Sequence, residues 1–255
     1  MTKRRYVSHV VSGLSAVVLF LSLAAKVGAQ PEDHPPKSAA SDTVPPGEYT
    51  TEAGWGNLSI SKTKTGTTIF ELQSTTGEDV CHIQGAVING EGSANDSENG
   101  AVCKVKFTKT DKGIDVLADT PKECSGFCGA NGGFKGQYLT IPEGCSADEV
   151  DKTRSNFKKL YLRKDYKTAL VTLQPLLKKC TATLNFIDLG DIRNDVAITQ
   201  YKVGLYSECI DTLKPYAVDA GRKDSEVTND WPPNQAVDYL KILKSSRTNI
   251  RLCTK

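Results

Sequence analysis

Eight cysteines constrain the fold of this 255-residue chain more than any other feature. They are Cys81, Cys103, Cys124, Cys128, Cys145, Cys180, Cys209 and Cys253. In an exported chain an even set of cysteines predicts disulfides, whereas in a cytosolic chain it more often indicates metal binding or thiol chemistry. The stretch "CSGFCGANGGFKGQYL" (124–139) raises this question directly, because its two cysteines suit a metal site, a reactive thiol pair or a stapled turn. Whether the chain is exported or stays in the cytosol therefore decides between these interpretations.

The N-terminus predicts export. Lys3, Arg4 and Arg5 precede a mostly apolar run at 10–25, and the small residues at 27–29 are typical of a signal peptidase site. The apolar run is shorter than the roughly 20 residues that a membrane-spanning helix needs. We therefore expect residues 1–29 to be a signal peptide cleaved after Ala29, and the mature protein to be periplasmic or secreted and not membrane-bound.

Charge divides the rest of the chain into two parts. Residues 30–145 contain 9 Lys, no Arg and 16 Asp or Glu, whereas residues 146–255 contain 19 basic and 14 acidic residues. Without the signal peptide the chain carries 28 basic and 30 acidic residues, so its charge gives no reason to expect a nucleic-acid partner. Residues 30–46 are rich in Pro, Ser and charge, which predicts a disordered linker.

Residues 47–144 are predicted to form a β-domain. Apolar and polar residues alternate in short runs rich in β-branched residues, which turn-forming residues separate. The runs are "NLSIS", "TTIFELQ", "VCHIQGAVI", "AVCKVKFT" and "GIDVLA", followed by a closing strand near Phe134 and Tyr138. Strands with no helix between them favour an antiparallel meander closed as a small barrel or a sandwich. The loop Asn89 to Gly100 lacks the ligand spacing of a calcium loop and is interpreted as a hairpin tip.

Residues 145–255 are predicted to be helical, which makes the whole chain α+β. Ser146 is a good N-cap, and two pairs of amphipathic helices follow it before a last helix from about Asn234 to Leu252. The segments "LYLRKDYKTALVTLQPLL" and "QYKVGLYSECIDTLKPYA" align at an offset of 40 residues. In this alignment Tyr161 corresponds to Tyr201.

This alignment resembles the tetratricopeptide repeat, in which aromatic and small residues let two antiparallel helices pack closely. The resemblance covers about 75 residues, and its period of 40 residues is longer than the usual 34. Lys164 stands where a turn glycine is usual, and Cys209 replaces the usual alanine. The resemblance implies α-helical hairpins with a groove that binds peptides or proteins.

The predicted elements suggest a pairing for the cysteines. The start of one helix lies beside the end of its antiparallel partner, which predicts the pairs Cys145–Cys180 and Cys209–Cys253. Cys81 and Cys103 flank one predicted hairpin and are therefore expected to pair across the sheet. The remaining cysteines, Cys124 and Cys128, are then predicted to form a disulfide across one tight turn. The stretch 124–139 is then a stapled turn, with no metal and no reactive thiol.

Few residues of this chain are typical of a catalytic or metal site. After signal cleavage the histidines are His34 in the linker and His82 on a strand beside Cys81, whose side chain should point to the opposite face. Carboxylates such as Glu71, Asp115 and Asp119 would suit a glycosidase, but their spacing does not distinguish them from solvated strand residues. We therefore expect no cofactor, no metal and no enzymatic activity.

Aromatic residues are the candidates for partner binding. Trp55 lies between glycines in "AGWGNL", where it would contact a partner or a sugar ring or else fill the barrel. Phe134 and Tyr138 follow the glycine-rich stretch, and Tyr161 and Tyr201 are the repeated aromatic residues of the helical hairpins.

The runs "GWGNLSI", "TIFEL", "VCHIQGAVI", "AVCKVKF" and "GIDVLA", with 124–139, resemble small cysteine-stapled β-domains of exported proteobacterial proteins. Periplasmic lysozyme inhibitors are among these, but the chain shows no inhibitor loop from which a residue could be carried over. The leading hypothesis is a non-enzymatic exported protein that binds a protein partner. The alternatives are an inhibitor or immunity protein against a cell-wall hydrolase or secreted toxin, and a cell-wall-modifying enzyme.

Overall fold

Alternating apolar and polar residues build an antiparallel barrel in the N-terminal half of the chain. The computed structural model describes residues 44–95 and 100–254. The predicted signal peptide (1–29) and linker residues 30–43 lie outside the described residues. Eight strands pair in chain order, and the first also pairs with the last, so the sheet closes. The strands are β1 (Gly47–Thr51), β2 (Gly56–Lys62), β3 (Thr68–Thr76), β4 (Asp79–Ile88), β5 (Glu91–Asn95), β6 (Val102–Lys109), β7 (Gly113–Ala118) and β8 (Gly136–Thr140).

Inward-facing side chains fill the barrel, as expected for an eight-stranded barrel of this size. Phe70 and Phe107 meet edge to face inside it, with ring centroids 5.1 Å apart. Tyr138 is fully buried and donates a hydrogen bond from its hydroxyl to the Phe134 carbonyl over 2.8 Å. Closure pairs Thr50 on β1 with Leu139 on β8. The barrel therefore has a packed core.

Strand β5 was not predicted, because the sequence "EGSAN" has the composition of a loop. Its small residues are explained by the core behind them. A Cβ atom added at Gly92 would lie 2.7 Å from carbon atoms of both the Phe70 and the Phe107 rings. This strand therefore needs small residues of low β-propensity, because larger side chains would collide with the two aromatic rings. Residues 96–99, which complete the predicted hairpin tip, lie outside the described residues.

The C-terminal half is helical, and the α+β class is confirmed. Ser146 caps its first long helix through a capping box with Glu149. The helices are α1 (Pro121–Cys124) within the barrel region, then α2 (Ala147–Leu162), α3 (Tyr166–Lys179), α4 (Phe186–Lys202), α5 (Tyr206–Leu213), α6 (Ala217–Ala220), α7 (Asp224–Thr228) and α8 (Pro233–Cys253). None of the helices in the described ranges is long and apolar enough to cross a membrane.

The helices α2–α3 and α4–α5 form two hairpins that repeat the same contacts at the 40-residue offset. Ring centroids are 5.1 Å apart in the pair Tyr161–Tyr166 and 5.8 Å apart in the pair Tyr201–Tyr206. In the first turn the Asp165 amide donates to the Leu160 carbonyl over 3.1 Å, and in the second the Leu205 amide donates to the Gln200 carbonyl over 2.9 Å. The sequence repeat is therefore a structural repeat.

Replacing Lys164 by glycine is expected to raise the free energy of unfolding by about 1 kcal/mol. Lys164 is exposed and has φ +64°, in the left-handed region, where the equivalent residue of the second hairpin is Gly204 with φ +84°. Urea unfolding of wild type and Lys164→Gly measures the gain. Gly204→Ala is the matched control, which should lose a similar amount. A Lys164→Gly protein no more stable than wild type would contradict this account of the turn.

The four disulfides confirm the two helical pairs, Cys145–Cys180 and Cys209–Cys253. The two predicted barrel pairs are wrong. The barrel is joined by Cys81–Cys128 and by Cys103–Cys124.

The unpredicted strand explains this error. Cys81 lies on β4 and Cys103 on β6, and because β5 lies between them they are not on neighbouring strands. Each cysteine instead bonds to the segment that follows β7. The stretch 124–139 is therefore held to two separate strands and is not a self-closed turn.

Backbone and side-chain hydrogen bonds join the helices to the barrel, and all described residues belong to one compact unit. The Ala53 amide donates to the Ala182 carbonyl over 2.9 Å. At the start of α8, the amide groups of Asn234 and Gln235 donate to the Gly77 carbonyl over 3.2 and 3.3 Å. These contacts place one end of the barrel against the helices.

Candidate functional site

A concave surface of the helical part lies between α2 and α4, the first helices of the two hairpins. We call it the helical groove; its volume is about 610 Å³. Its lining residues are Asp151, Arg154, Ser155, Phe157, Lys158, Tyr161, Leu162, Asp191 and Asp195. Three of its five charged residues are acidic, whereas residues 146–255 as a whole carry more basic than acidic residues. The groove is therefore a local acidic surface.

Arg154 connects the two helices across the base of the groove. Its guanidinium group donates to Asp188 Oδ1 over 2.9 Å and to Asp191 Oδ2 over 2.8 Å. Asp188 also accepts a hydrogen bond from the Asn185 side chain over 2.8 Å. Because the Arg154 side chain is about three-quarters buried, these charge-assisted bonds contribute to holding α2 against α4. The positive charge of Arg154 is thus paired with the two carboxylates of Asp188 and Asp191.

Asp195 lies one helical turn beyond Asp191 and faces the same groove. Its carboxylate makes no hydrogen bond or salt bridge with any residue in the described part of the chain. Burial raises the pKa of Asp195 from 3.8 to about 6; Asp191 adds to the increase, and the positive charges of Arg154 and Lys158 offset only part of it. The groove therefore contains a carboxylate whose charge the protein itself leaves largely uncompensated.

An aromatic surface borders this carboxylate. The Tyr161 ring packs between Phe157 and Tyr166 in tilted and edge-to-face contacts, with ring centroids 5.6 and 5.1 Å away. Burial raises the pKa of Tyr161, and the negative charge of Asp195 contributes to that increase. Leu162 is 72% exposed beside these rings. Such a surface favours a group that combines an apolar stem with a positive charge.

The structure brings together only three of the five aromatic residues proposed from the sequence: Tyr138 contacts the Trp55 ring and hydrogen-bonds to Phe134. Tyr161 lines the helical groove, while Tyr201 packs on Tyr206 and is partly buried in the core of the second hairpin. Trp55 is half-buried in a separate cleft between barrel and helices. Phe134 and Tyr138 are only 3% and 0% exposed, so both side chains belong to the barrel core.

Sequence reasoning missed Arg154 and Asp195. One signal was present: Asp188, Asp191 and Asp195 recur at intervals of three and four residues on α4, which places them on one helix face. The same spacing is common on solvated helix faces. The packing of α2 against α4 makes this face concave, and that packing was not predicted in detail.

The other candidate chemistry of the sequence has ordinary structural explanations. His82 is exposed and lies 3.1 Å from Glu71 on the neighbouring strand, whereas Cys81 is buried, so the two side chains do point to opposite faces. Within the ranges 44–95 and 100–254, no group of three or more His, Cys, Asp or Glu residues is placed to hold a metal ion. All eight cysteines are in disulfides.

Four disulfides are typical of an extracellular or periplasmic protein. No protein-family model, curated protein or solved structure matches this chain. The function must therefore be inferred from the sites of the protein itself.

Proposed function

We propose that this chain is an exported protein that binds another protein through the helical groove. The observation that carries the proposal is the Asp195 carboxylate, which is partly buried and uncompensated in an open groove. An ionised group in such a position costs folding free energy, and residues of this kind are concentrated at functional sites. The partner supplies the missing counter-charge.

The groove also indicates which chemistry it accepts. A lysine or arginine side chain of the partner would place its charge against Asp195 and Asp191 and its methylene groups against Tyr161 and Leu162. Arg154 and Lys158 keep the groove from being uniformly negative. They favour a single cation within a longer segment over a polybasic one. The partner segment is therefore a basic residue next to apolar ones.

The helical architecture supports a protein as the occupant. We interpret the two equivalent hairpins as a tetratricopeptide-like pair, extended by α8. In helical repeats of this kind the first helices of successive hairpins line a concave surface that receives peptides or proteins. The position of the helical groove between α2 and α4, the first helices of the two hairpins, supports this interpretation.

Comparative affinity capture tests this function. Wild type, Asp195→Asn and Asp211→Asn are immobilised and exposed to the proteins of the exporting compartment. Asp211 is an exposed aspartate on α5, outside the groove, which makes the same substitution there a matched control. We expect a partner retained by wild type and by Asp211→Asn, with at least tenfold lower retention by Asp195→Asn. Equal retention by all three proteins would exclude the helical groove as the binding site.

The identity of the captured partner separates the narrower hypotheses. A cell-wall hydrolase or a toxin among the Asp195-dependent partners would make this protein an inhibitor or an immunity protein. Capture of another class of exported protein would support the general protein-binding function and exclude the inhibitor and immunity hypotheses.

A further inference from the structure

A second cleft, independent of the helical groove, lies where the barrel meets the helices. We call it the barrel–helix cleft; its volume is about 550 Å³, within the usual range for small-ligand sites. One wall is the outer face of β2 and β3, and the other is formed by the starts of α4 and α8. The walls approach closely at Gly54, where an added Cβ atom would lie 2.7 Å from the Asn185 nitrogen.

Trp55 supplies an aromatic surface at this cleft. The residue stands between Gly54 and Gly56, and one edge of its indole ring lies over Gly136, whose added Cβ would be 3.4 Å from it. Its ring centroid is 6.3 Å from that of Tyr138, which lies behind it in the barrel core. Trp55 is thus held by packing on one side while it remains partly exposed to the cleft.

Polar side chains with both donor and acceptor capacity surround the indole. Asn57 and Gln73 are directly paired across β2 and β3 and are both exposed. Neither the Asn57 amide nor the Thr75 hydroxyl hydrogen-bonds to another residue of the described ranges. From α8, Asp238 uses Oδ1 to accept from Lys241 over 2.8 Å, which leaves Oδ2 available. The cleft therefore offers amides, a hydroxyl and a carboxylate around one aromatic ring.

The charges of the cleft exclude anionic ligands. None of its lining residues in the described part of the chain is Lys or Arg, whereas Asp188 and Asp238 both contribute to it. These two carboxylates are paired with Arg154 and Lys241, which do not line the cleft, so an anion in the cleft would meet carboxylates and no cationic side chain of the lining. A ligand that is uncharged, rich in hydroxyl groups and flat on one face fits the amides, the hydroxyl and the indole of this cleft.

We propose that the barrel–helix cleft binds an uncharged oligosaccharide, with one sugar ring stacked on Trp55. A pyranose ring presents an apolar C–H face, which suits the electron-rich face of an indole. It also presents equatorial hydroxyls, which suit the planar amides of Asn57 and Gln73 and the free oxygen of Asp238. This site does not depend on the helical groove or its partner.

The test uses the indole as its own reporter. The chain contains two tryptophans, and Trp231 stacks on Tyr239 at 4.1 Å outside the cleft. In the exported full chain carrying Trp231→Phe, fluorescence therefore reports on Trp55 alone. Chitotetraose, cellotetraose and maltotetraose are titrated to millimolar concentration, with tetragalacturonic acid as the anionic control. Saturation-transfer NMR on the same samples detects any binding that leaves the emission unchanged.

We expect saturable binding of at least one neutral tetrasaccharide and none of the anionic one. Asn57→Ala removes an exposed side chain without a structural partner, so it should fold normally and bind about threefold to tenfold more weakly. Trp55→Ala should abolish binding, and the exposed Asn156→Ala on α2 should leave it unchanged. Absence of binding in both measurements, tighter binding of tetragalacturonic acid, or wild-type affinity in Asn57→Ala would each overturn the proposal.

Discussion

Replacing Cys81 and Cys128 together by serine is expected to lower the free energy of unfolding by about 4 kcal/mol. The bond joins cysteines with a sequence separation of 47 residues, so its removal increases the conformational entropy of the unfolded chain. It also anchors the segment after β7 to β4, where Cys81 and Cys128 form an isolated bridge of β type. Without the bond, that segment is attached through Cys103–Cys124 and weaker contacts.

Urea unfolding at neutral pH measures this loss, with Cys103→Ser/Cys124→Ser as the matched comparison. That bond has a sequence separation of only 21 residues, so its removal should cost about 3 kcal/mol. Both variants should retain the unfolding transition of a folded protein if the remaining three disulfides form. Unchanged stability in the first variant would contradict the assigned pairing.

Replacing Asp195 by asparagine is expected to raise the free energy of unfolding at pH 7.5 by about 2–3 kcal/mol. Burial raises the pKa of Asp195 to about 6 in the folded protein, from an ordinary value of 3.8. At pH 7.5 the group is ionised in both states, and the folded state bears the cost of that charge. Asparagine has a similar shape and carries no charge, so it removes this cost.

The stability gained by the Asp195→Asn substitution is expected to depend on pH. Because the pKa is raised by folding, the folded state holds the proton more tightly, and wild type loses stability as the pH rises from about 4 through about 6. Asp195→Asn should lack this loss, so the difference between the two proteins should fall below about 1 kcal/mol near pH 4. Asp211→Asn, at an exposed position, should change stability by no more than about 0.5 kcal/mol at either pH. A destabilised Asp195→Asn protein at pH 7.5 would mean that the carboxylate is compensated.

The two disulfide predictions for the helices succeeded because antiparallel helices fix which ends meet. Cys145 precedes α2 and Cys180 ends α3, so no other geometry was needed. The barrel pairs failed because pairing across a sheet depends on the number of strands between two positions. One strand, β5, was hidden by glycine and small residues that the Phe70 and Phe107 rings require.

The candidate sites were also predicted only as far as local sequence patterns allow, because their geometry depends on how the helices and strands pack. Periodicity placed Tyr161 on a helix, and the N-cap at Ser146 and the last helix near Asn234 were also predicted correctly. Whether Asp195 faces solvent or a groove depends on how the two hairpins pack. Trp55 was identified as a ligand-binding candidate, but the polar wall formed by Asn57 and Gln73 exists only because β2 and β3 pair in one register.

The central claim is that Asp195 remains uncompensated until a cationic group of the partner binds. Carbon-detected NMR titration of the Asp195 carboxyl group, in the free protein and in the saturated complex with the captured partner, tests it most directly. We predict a midpoint at about pH 6 in the free protein, which moves to lower pH in the complex because a nearby cation favours the ionised form. A midpoint near the ordinary 3.8 that the partner leaves unchanged would contradict the claim.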